Sequence, residues 1–132
     1  MHTVEKTEYG YRITFVEAPG RDDMGTLLEL LKRTIHPRDR GFGLLADLRI
    51  ARAFGAEVQE VLKQTILSLK EAGMQRHIVV LDSAITKLQA RRLGKETGID
   101  PLSRCLDASS RPDWERAADD WLRRGIDPDG AG

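Results

Sequence analysis

The chain has a single cysteine, Cys105, so it can form no internal disulfide, and nothing in its composition indicates an oxidising compartment. It also lacks an excess of either charge, since 21 basic residues balance 21 acidic ones and both signs are evenly divided between the two halves. A domain that binds nucleic acid through its phosphates usually has a basic surplus, because counterion release drives that binding. We therefore expect no nucleic-acid partner.

Long hydrophobic runs are missing too. No stretch approaches the roughly 18 consecutive apolar residues of a membrane span, and the N-terminal residues MHTVEKTEYGYR lack the apolar segment of a signal peptide. These absences predict a protein without a membrane span, located in the cytoplasm. The 132 residues, 40% of them hydrophobic, suit one globular domain. We expect this domain over residues 1–126 and a disordered tail, rich in Gly and Pro, over residues 127–132.

The hydrophobic pattern predicts strands that alternate with helices. EKTEY and YRITFVEA form a hairpin around Gly10 and Tyr11, while FGLLADLR and HIVVLD are nearly continuously apolar, as in strands covered on both faces. SRCLD is a weak strand at an edge. Apolar residues at helical spacing predict four helices, over residues 24–35, 56–72, 84–97 and 114–122. The order β-β-α-β-α-β-α-β-α predicts an α/β fold, with a mostly parallel mixed sheet of about five strands and about four helices.

Four segments carry a resemblance to a known family: YRITFVEAPGR, GLLADLRIARAFGAEVQEVL, GMQRHIVVLDS and WERAADDWL. Together they resemble STAS domains, the sulfate-transporter and anti-sigma-factor-antagonist domains, and in particular their divergent bacterial members. The resemblance covers almost the whole chain, but it lies in the pattern and order of elements and not in a catalytic signature. It implies a regulatory module that is not an enzyme and needs no cofactor. Such a module docks a protein partner or associates with itself as a homodimer.

The switching members of that family carry a phosphorylatable serine at the start of the helix that follows the third strand. Here the junction reads AFGAEVQE, and Glu57 stands nearest to that position. No Ser or Thr occurs between Ala46 and Gln64, so the switching serine cannot be transferred to this chain. A carboxylate at a helix N-terminus could imitate a permanently charged state. The alternative is that Glu57 is simply a favourable first-turn residue.

The junction after the third strand is the predicted docking surface. Its candidate residues are Asp47, Arg49, Arg52, Phe54 and Glu57. Their expected role is recognition of the partner.

The helix SAITKLQARRLGKE carries a local basic cluster that includes Arg91 and Arg92. We predict a second docking surface there, for an acidic protein surface or for an anionic small molecule, lipid or nucleotide. The alternative is a solvated charged face. The inward stripe of this helix is predicted to consist of Ile85 and Leu88, interrupted by Gln89 and Arg92 at helical spacing. A helix with so weak an apolar stripe packs loosely or faces something besides its own core.

Aspartates stand near the ends of three successive predicted parallel strands: Asp47, Asp82 and Asp107. In open α/β sheets, ligands bind beyond the carboxyl ends of the strands. Together with Ser83, these carboxylates provide the alternative function, a site for a small ligand, a nucleotide or Mg²⁺. Against it, Asp is common at strand ends, Arg49 and Arg52 can neutralise Asp47, and no Gly-rich phosphate loop is present. We therefore predict no metal site.

Neither the histidines nor the cysteine indicates a metal site or a catalytic site. The histidines His2, His36 and His77 are scattered, with no Cys or second His at ligand spacing, so no zinc site is expected. Cys105 is predicted to be a buried and inert thiol.

Overall fold

The computed structural model describes residues 2–51 and 53–130, except the side chain of Pro37. Within these residues the chain forms the predicted α/β fold, with a five-stranded mixed sheet and four α-helices. The strands are β1 His2–Lys6, β2 Gly10–Phe15, β3 Gly43–Asp47, β4 Arg76–Leu81 and β5 Ser103–Asp107. The helices are α1 Arg21–Thr34, α2 Ala56–Glu71, α3 Ala84–Thr97 and α4 Trp114–Arg124. None of these helices is long and apolar enough to cross a membrane.

The strands lie in the sheet in the order of the sequence, β1-β2-β3-β4-β5. β1 is antiparallel to β2 and the other neighbours are parallel, so β5 lies at an edge, as predicted. The hairpin turn differs from the prediction, because Thr7 closes it by hydrogen bonds with Gly10 and places Gly10 inside β2. Gly10 has a φ of +147°, and a Cβ there would lie 2.1 Å from the carbonyl oxygen of Gly43. The close approach of β2 to β3 at this point therefore requires glycine.

The sheet has a separate hydrophobic core on each face. On one face, alternate residues of β2, β3 and β4 pack with helices α1, α2 and α3. On the other face, Leu45, Ile78 and Val80 pack with α4 alone. Trp114 and Trp121 of α4 are both buried there, and the indole N–H of Trp121 donates to the carbonyl oxygen of His77 at 3.0 Å. The middle of the sheet is thus covered on both faces, which explains its continuously apolar strands.

The C-terminal residues lie beside β5. The guanidinium of Arg104 donates from Nε and Nη2 to the two carboxylate oxygens of Asp127, at 2.8 and 3.0 Å. It also stacks on the ring of Trp121, with 4.3 Å between its Cζ and the ring centroid, and Arg111 donates to the carbonyl oxygen of Pro128 at 2.8 Å. Disorder of the tail stays a prediction, but residues 127 and 128 make specific contacts with the rest of the domain.

Candidate functional site

The parallel strands β2 to β5 all end at one edge of the sheet, which places the loops that follow them side by side. We call the part of this edge formed by residues 16–20, 48–51, 53–55 and 82–88 the rim. Most of the predicted docking residues belong to it or lie next to it. In α/β folds, functional side chains are commonly found at this end of the sheet.

Asp47 ends β3 and its side chain is buried against Arg49. Nε and Nη2 of Arg49 donate to the two carboxylate oxygens, both at 2.9 Å, and the backbone N–H of Arg49 donates to Oδ1 at 3.2 Å. Nη2 of Arg12 lies 3.6 Å from Oδ2. Burial alone would raise the pKa of Asp47, but the hydrogen bonds from Arg49 and the charges of Arg49 and Arg12 outweigh it and lower that pKa. Asp47 is therefore a charged and fully partnered carboxylate.

Arg49 is held from two sides. Besides its pairing with Asp47, its guanidinium stacks on Trp114, with 4.5 Å between Cζ and the ring centroid. The side chain is nevertheless 43% exposed. Arg49 consequently presents a fixed planar cation at the border of the rim, where a partner could contact it without reorganising it.

The other strand-end residues do not assemble into a metal site. Asp82 is exposed, whereas Asp107 is buried and accepts hydrogen bonds from the backbone N–H and the hydroxyl of Ser109. The hydroxyl of Ser83 caps α3 by accepting the N–H of Thr86 at 3.1 Å. In the part of the chain that the structure describes, no group of three His, Cys, Asp or Glu side chains is placed to hold a metal ion.

Phe54 lies inside the molecule, so it is not the surface contact that the sequence suggested. Its side chain is 5% exposed, and its backbone is fixed by two glutamines. The N–H of Phe54 donates to Oε1 of Gln89 at 3.0 Å, and its carbonyl oxygen accepts from Nε2 of Gln59 at 2.7 Å and from Nε2 of Gln89 at 3.4 Å. These contacts join the loop after β3 to helices α2 and α3.

Ile85 and Leu88 do not form the inward stripe of α3, and that prediction is wrong. They are 66% and 67% exposed, whereas the buried residues of α3 are Thr86, Leu93, Gly94 and Thr97. The physical reason lies at the helix start, where the hydroxyl of Thr86 donates to the carbonyl oxygen of Ser83 and lies 2.9 Å from its Oγ. With its hydroxyl satisfied in this way, Thr86 can face the core and turns Ile85 outward.

Exposed apolar side chains concentrate at the rim. Among the described residues, six large apolar side chains are exposed, and four of them belong to the rim: Val16, Ile50, Ile85 and Leu88. Val16 and Ile50 follow the ends of β2 and β3, and the other two lie in the first turns of α3. Residue-by-residue inspection of the sequence missed this set, because its members are far apart in the chain and share one edge only through the parallel sheet.

Arg91 and Arg92 do not share one surface, since consecutive residues project about 100° apart on a helix. Arg92 turns toward α2, where its Nη2 donates to Oε1 of Gln59 at 2.7 Å and its Nε lies 3.7 Å from Glu96. Arg91 is exposed at a mixed-charge cleft between α3 and β5, which Asp127 also lines. The predicted second docking surface is therefore divided between two sides of α3.

The remaining predicted residues are placed as follows. Glu57 is exposed in the first turn of α2. Arg52 lies outside the described residues. Cys105 is buried, as predicted, and burial raises its pKa to about 11, so it is an unreactive thiol at neutral pH.

A comparison with models of known protein families gives no match, and a comparison with curated proteins gives none either.

Proposed function

We propose that the protein is a non-enzymatic, STAS-type regulatory module without a switching serine, and that it docks a protein partner through the rim. The observation that carries this proposal is the group of exposed apolar side chains Val16, Ile50, Ile85 and Leu88 at one edge of the sheet. Exposed apolar patches on a small domain usually mark sites of interaction, and the parallel strands place these four side chains at the same edge of the sheet. The resemblance to STAS domains agrees with a docking role at this junction.

The rim has the usual anatomy of a protein interface. Besides its exposed apolar side chains it includes the partly exposed Arg49 and the exposed carboxylate of Asp82, and Glu57 is exposed in the first turn of α2, directly after it. Interfaces commonly have an apolar centre that carries most of the binding energy and a polar border that contributes specificity. Arg49 suits such a border, because its pairing with Asp47 and its stacking on Trp114 already fix its position.

The rim is also preorganised. Gln89 and Gln59 fix the backbone of Phe54, so the loop that presents Ile50 is attached to both neighbouring helices. A surface that is ordered before binding loses less conformational entropy when it binds. This order favours docking of a folded partner over capture of a flexible ligand.

The alternative, a ligand or Mg²⁺ site among the strand-end aspartates, has less support. Arg49 occupies both carboxylate oxygens of Asp47, and Asp107 is engaged with Ser109. A divalent cation would have to displace these partners before it could bind, at a cost that an unoccupied carboxylate site does not carry.

The experiment compares photo-crosslinking from two exposed leucines in the native host. A photoreactive residue replaces Leu88 on the rim in one variant and Leu67, on the outer face of α2, in the other. We expect one defined adduct from position 88 and none from position 67. An Ile85→Asp, Leu88→Asp double variant should lower partner affinity at least tenfold, since loss of a central apolar contact costs about 1–2 kcal/mol per residue.

The control is Leu67→Asp, which places the same charge on an equally apolar but distant position. Charge reversal at Arg49 tests the polar border, and charge reversal at Arg52 tests the docking role that the sequence predicts for it. If the position 88 adduct consists of two copies of this chain, the partner is the protein itself. If Leu67→Asp and the rim double variant change affinity equally, the rim is not the docking surface.

A further inference from the structure

The core between the sheet and helices α1, α2 and α3 contains a cavity of about 60 Å³. Almost all of its lining is aliphatic or aromatic, and the described residues that line it include no Asp, Glu, Lys or Arg. By the same measure, one water molecule needs about 10–15 Å³, so the cavity has room for roughly four to six groups of that size. Apolar cavities of this kind stay dry and bind small apolar molecules.

One wall of the cavity contains a polar atom without a partner. His77 is 4% exposed and lines the cavity, and its Nδ1 is 2.8 Å from the hydroxyl of Ser103. Within the described residues, Nε2 of His77 has no hydrogen-bond partner. Burial lowers the pKa of His77 to about 4, so the imidazole is neutral at neutral pH. A ligand hydroxyl beside Nε2 could therefore form a hydrogen bond that no described residue forms with this nitrogen.

The opposite end of the cavity lies beneath the rim. Leu44 pairs with His77 in the sheet, and Leu48, which also lines the cavity, stands four residues beyond Leu44. At about 3.3 Å per residue, the backbones of Leu44 and Leu48 lie roughly 13 Å apart. Phe54 lines the same end. A volume of about 60 Å³ admits a molecule of only a few heavy atoms.

The packing of α2 also indicates room for an apolar guest. Only Thr65 and Leu69 of its 16 residues are buried. Leu62 and Ile66 line the cavity but remain half-buried, although they belong to the face that packs on the core. An aliphatic molecule in the cavity would cover the inner surface of these side chains and add the contacts that they lack.

From this geometry we infer that the cavity is a binding site for a short, uncharged aliphatic molecule with one hydroxyl group, which bonds to Nε2 of His77. A hydroxyl can both donate and accept, so it suits either tautomer of the imidazole. A carboxylate or an ammonium group is excluded, because the lining offers no opposite charge and burial of an unpaired ion is very costly. One end of this site lies beneath the docking surface, but binding there does not depend on the proposed function.

The test uses 1-butanol as the probe, followed by NMR of the methyl groups of the whole chain. We expect saturable shifts at Leu62 and Ile66 and at the imidazole ¹⁵N of His77, with none at Leu67, which is exposed on the outer face of α2. 1-Chlorobutane, which has the same chain without the hydroxyl, should shift the methyl groups but not the imidazole ¹⁵N of His77, because it cannot donate a hydrogen bond to Nε2. Butyrate and butylammonium should not bind.

Two matched glycine variants make the test independent of damage to the fold. Gly94 lines the cavity, and a Cβ built on it meets no heavy atom within 4 Å, so Gly94→Ala reduces the free volume without a clash. Gly25 in α1 has the same free space but does not line the cavity, so Gly25→Ala is the control. Both changes also raise helix propensity, so neither should lower the melting temperature.

We expect Gly94→Ala to remove the saturable shifts and Gly25→Ala to keep them. Equal binding by the two variants, or shifts that grow linearly and include Leu67, would overturn the site. An equal shift of the His77 imidazole ¹⁵N with 1-butanol and with 1-chlorobutane would overturn the role of His77.

Discussion

Gln89 and Phe54 form a closed pair in which a side-chain amide binds both backbone groups of one residue. Oε1 of Gln89 accepts the N–H of Phe54 at 3.0 Å, and its Nε2 donates to the carbonyl oxygen of Phe54 at 3.4 Å. This geometry resembles one rung of a β-ladder, supplied by a side chain to a loop that has no strand beside it. This pairing explains why Gln89, a polar residue, occupies the side of α3 that faces the loop.

Replacement of this amide should loosen the loop. In Gln89→Ala, the N–H of Phe54 loses its acceptor, while its carbonyl oxygen keeps Gln59. We expect a loss of about 1 kcal/mol in the free energy of unfolding, and a faster hydrogen exchange at the Phe54 amide than at amides in β3. Hydrogen exchange followed by NMR measures both effects.

The matched control is Gln64→Ala, an exposed glutamine on α2. It should leave the exchange of the Phe54 amide unchanged. Unchanged exchange in Gln89→Ala would show that Phe54 is held by its buried side chain alone.

Asp47 and Arg49 should stabilise the fold through their charges. In Asp47→Asn, the amide cannot accept both guanidinium hydrogen bonds, and the nearby Arg12 loses its counter-charge. Because Arg49 is partly exposed, solvent screening reduces the effect below that of a fully buried pair, and we expect a loss of about 1–2 kcal/mol at pH 7.

The pH dependence of this loss follows from the lowered pKa of Asp47. The unfolded chain takes up the proton more readily, so the stabilisation is complete above the unfolded pKa of about 4 and is lost as the pH falls through the folded pKa. Urea denaturation of wild type and Asp47→Asn at pH 7 and pH 3 measures this difference. Asp82→Asn, at an exposed position, is the control. An equal loss at both pH values would mean that packing, and not charge, stabilises this position.

The element order was readable from sequence because each buried element has a regular apolar pattern. The buried residues of α4 are Trp114, Ala117, Ala118, Trp121 and Leu122, which is the stripe that helical spacing predicts. β3 and β4 are nearly wholly apolar because helices cover both faces of the sheet at these strands. In these elements, the residues that the local hydrophobic pattern predicts to be buried are the ones that tertiary packing buries.

α3 shows where that reasoning fails. Its buried positions include Thr86, Gly94 and Thr97, residues that no hydrophobicity pattern selects. The hydroxyl of Thr97 donates to the carbonyl oxygen of Leu93 at 2.8 Å, so this polar side chain is satisfied within its own helix. Hydrogen bonding within the helix therefore decided which face is buried, and the larger residues Ile85 and Leu88 were left outside.

In the candidate site, only contacts between residues close together in the sequence could be predicted. Asp47 and Arg49 are two residues apart, so their pairing could be foreseen from the sequence. The contact between Phe54 and Gln89 spans 35 residues and depends on how α3 is rotated. The same rotation exposes Ile85 and Leu88 at the rim, which explains why both features were missed.

His77 should make the fold less stable in acid. Burial lowers its pKa to about 4, below the ordinary value of about 6.5 that it regains on unfolding. The unfolded state then binds the proton more strongly, so the contribution of His77 is complete above about pH 6.5 and is lost as the pH falls toward 4. The loss approaches about 3 kcal/mol at the lower limit.

NMR titration of the His77 imidazole, together with denaturation between pH 7 and pH 4.5, measures this effect. Ser103→Ala is the informative variant, because it removes the partner of Nδ1 and leaves the ring buried. We expect the pKa to stay low in this variant. A return to about 6.5 would mean that the hydrogen bond to Ser103, and not burial, keeps the ring neutral.

The outward orientation of Ile85 and Leu88 can be tested by stability alone, without knowledge of any partner. Both side chains are about two-thirds exposed, so Ile85→Ser and Leu88→Ser should each change the free energy of unfolding by about 0.5 kcal/mol or less. Leu93→Ala, at a buried position of the same helix, should cost about 2–5 kcal/mol, because it removes packed methyl groups and leaves a cavity. Urea denaturation of the three variants gives the comparison.

If Ile85→Ser destabilised the protein as much as Leu93→Ala, α3 would be rotated toward the face that its apolar residues suggest. The rim would then lack its apolar centre, and the docking proposal would lose the observation on which it depends.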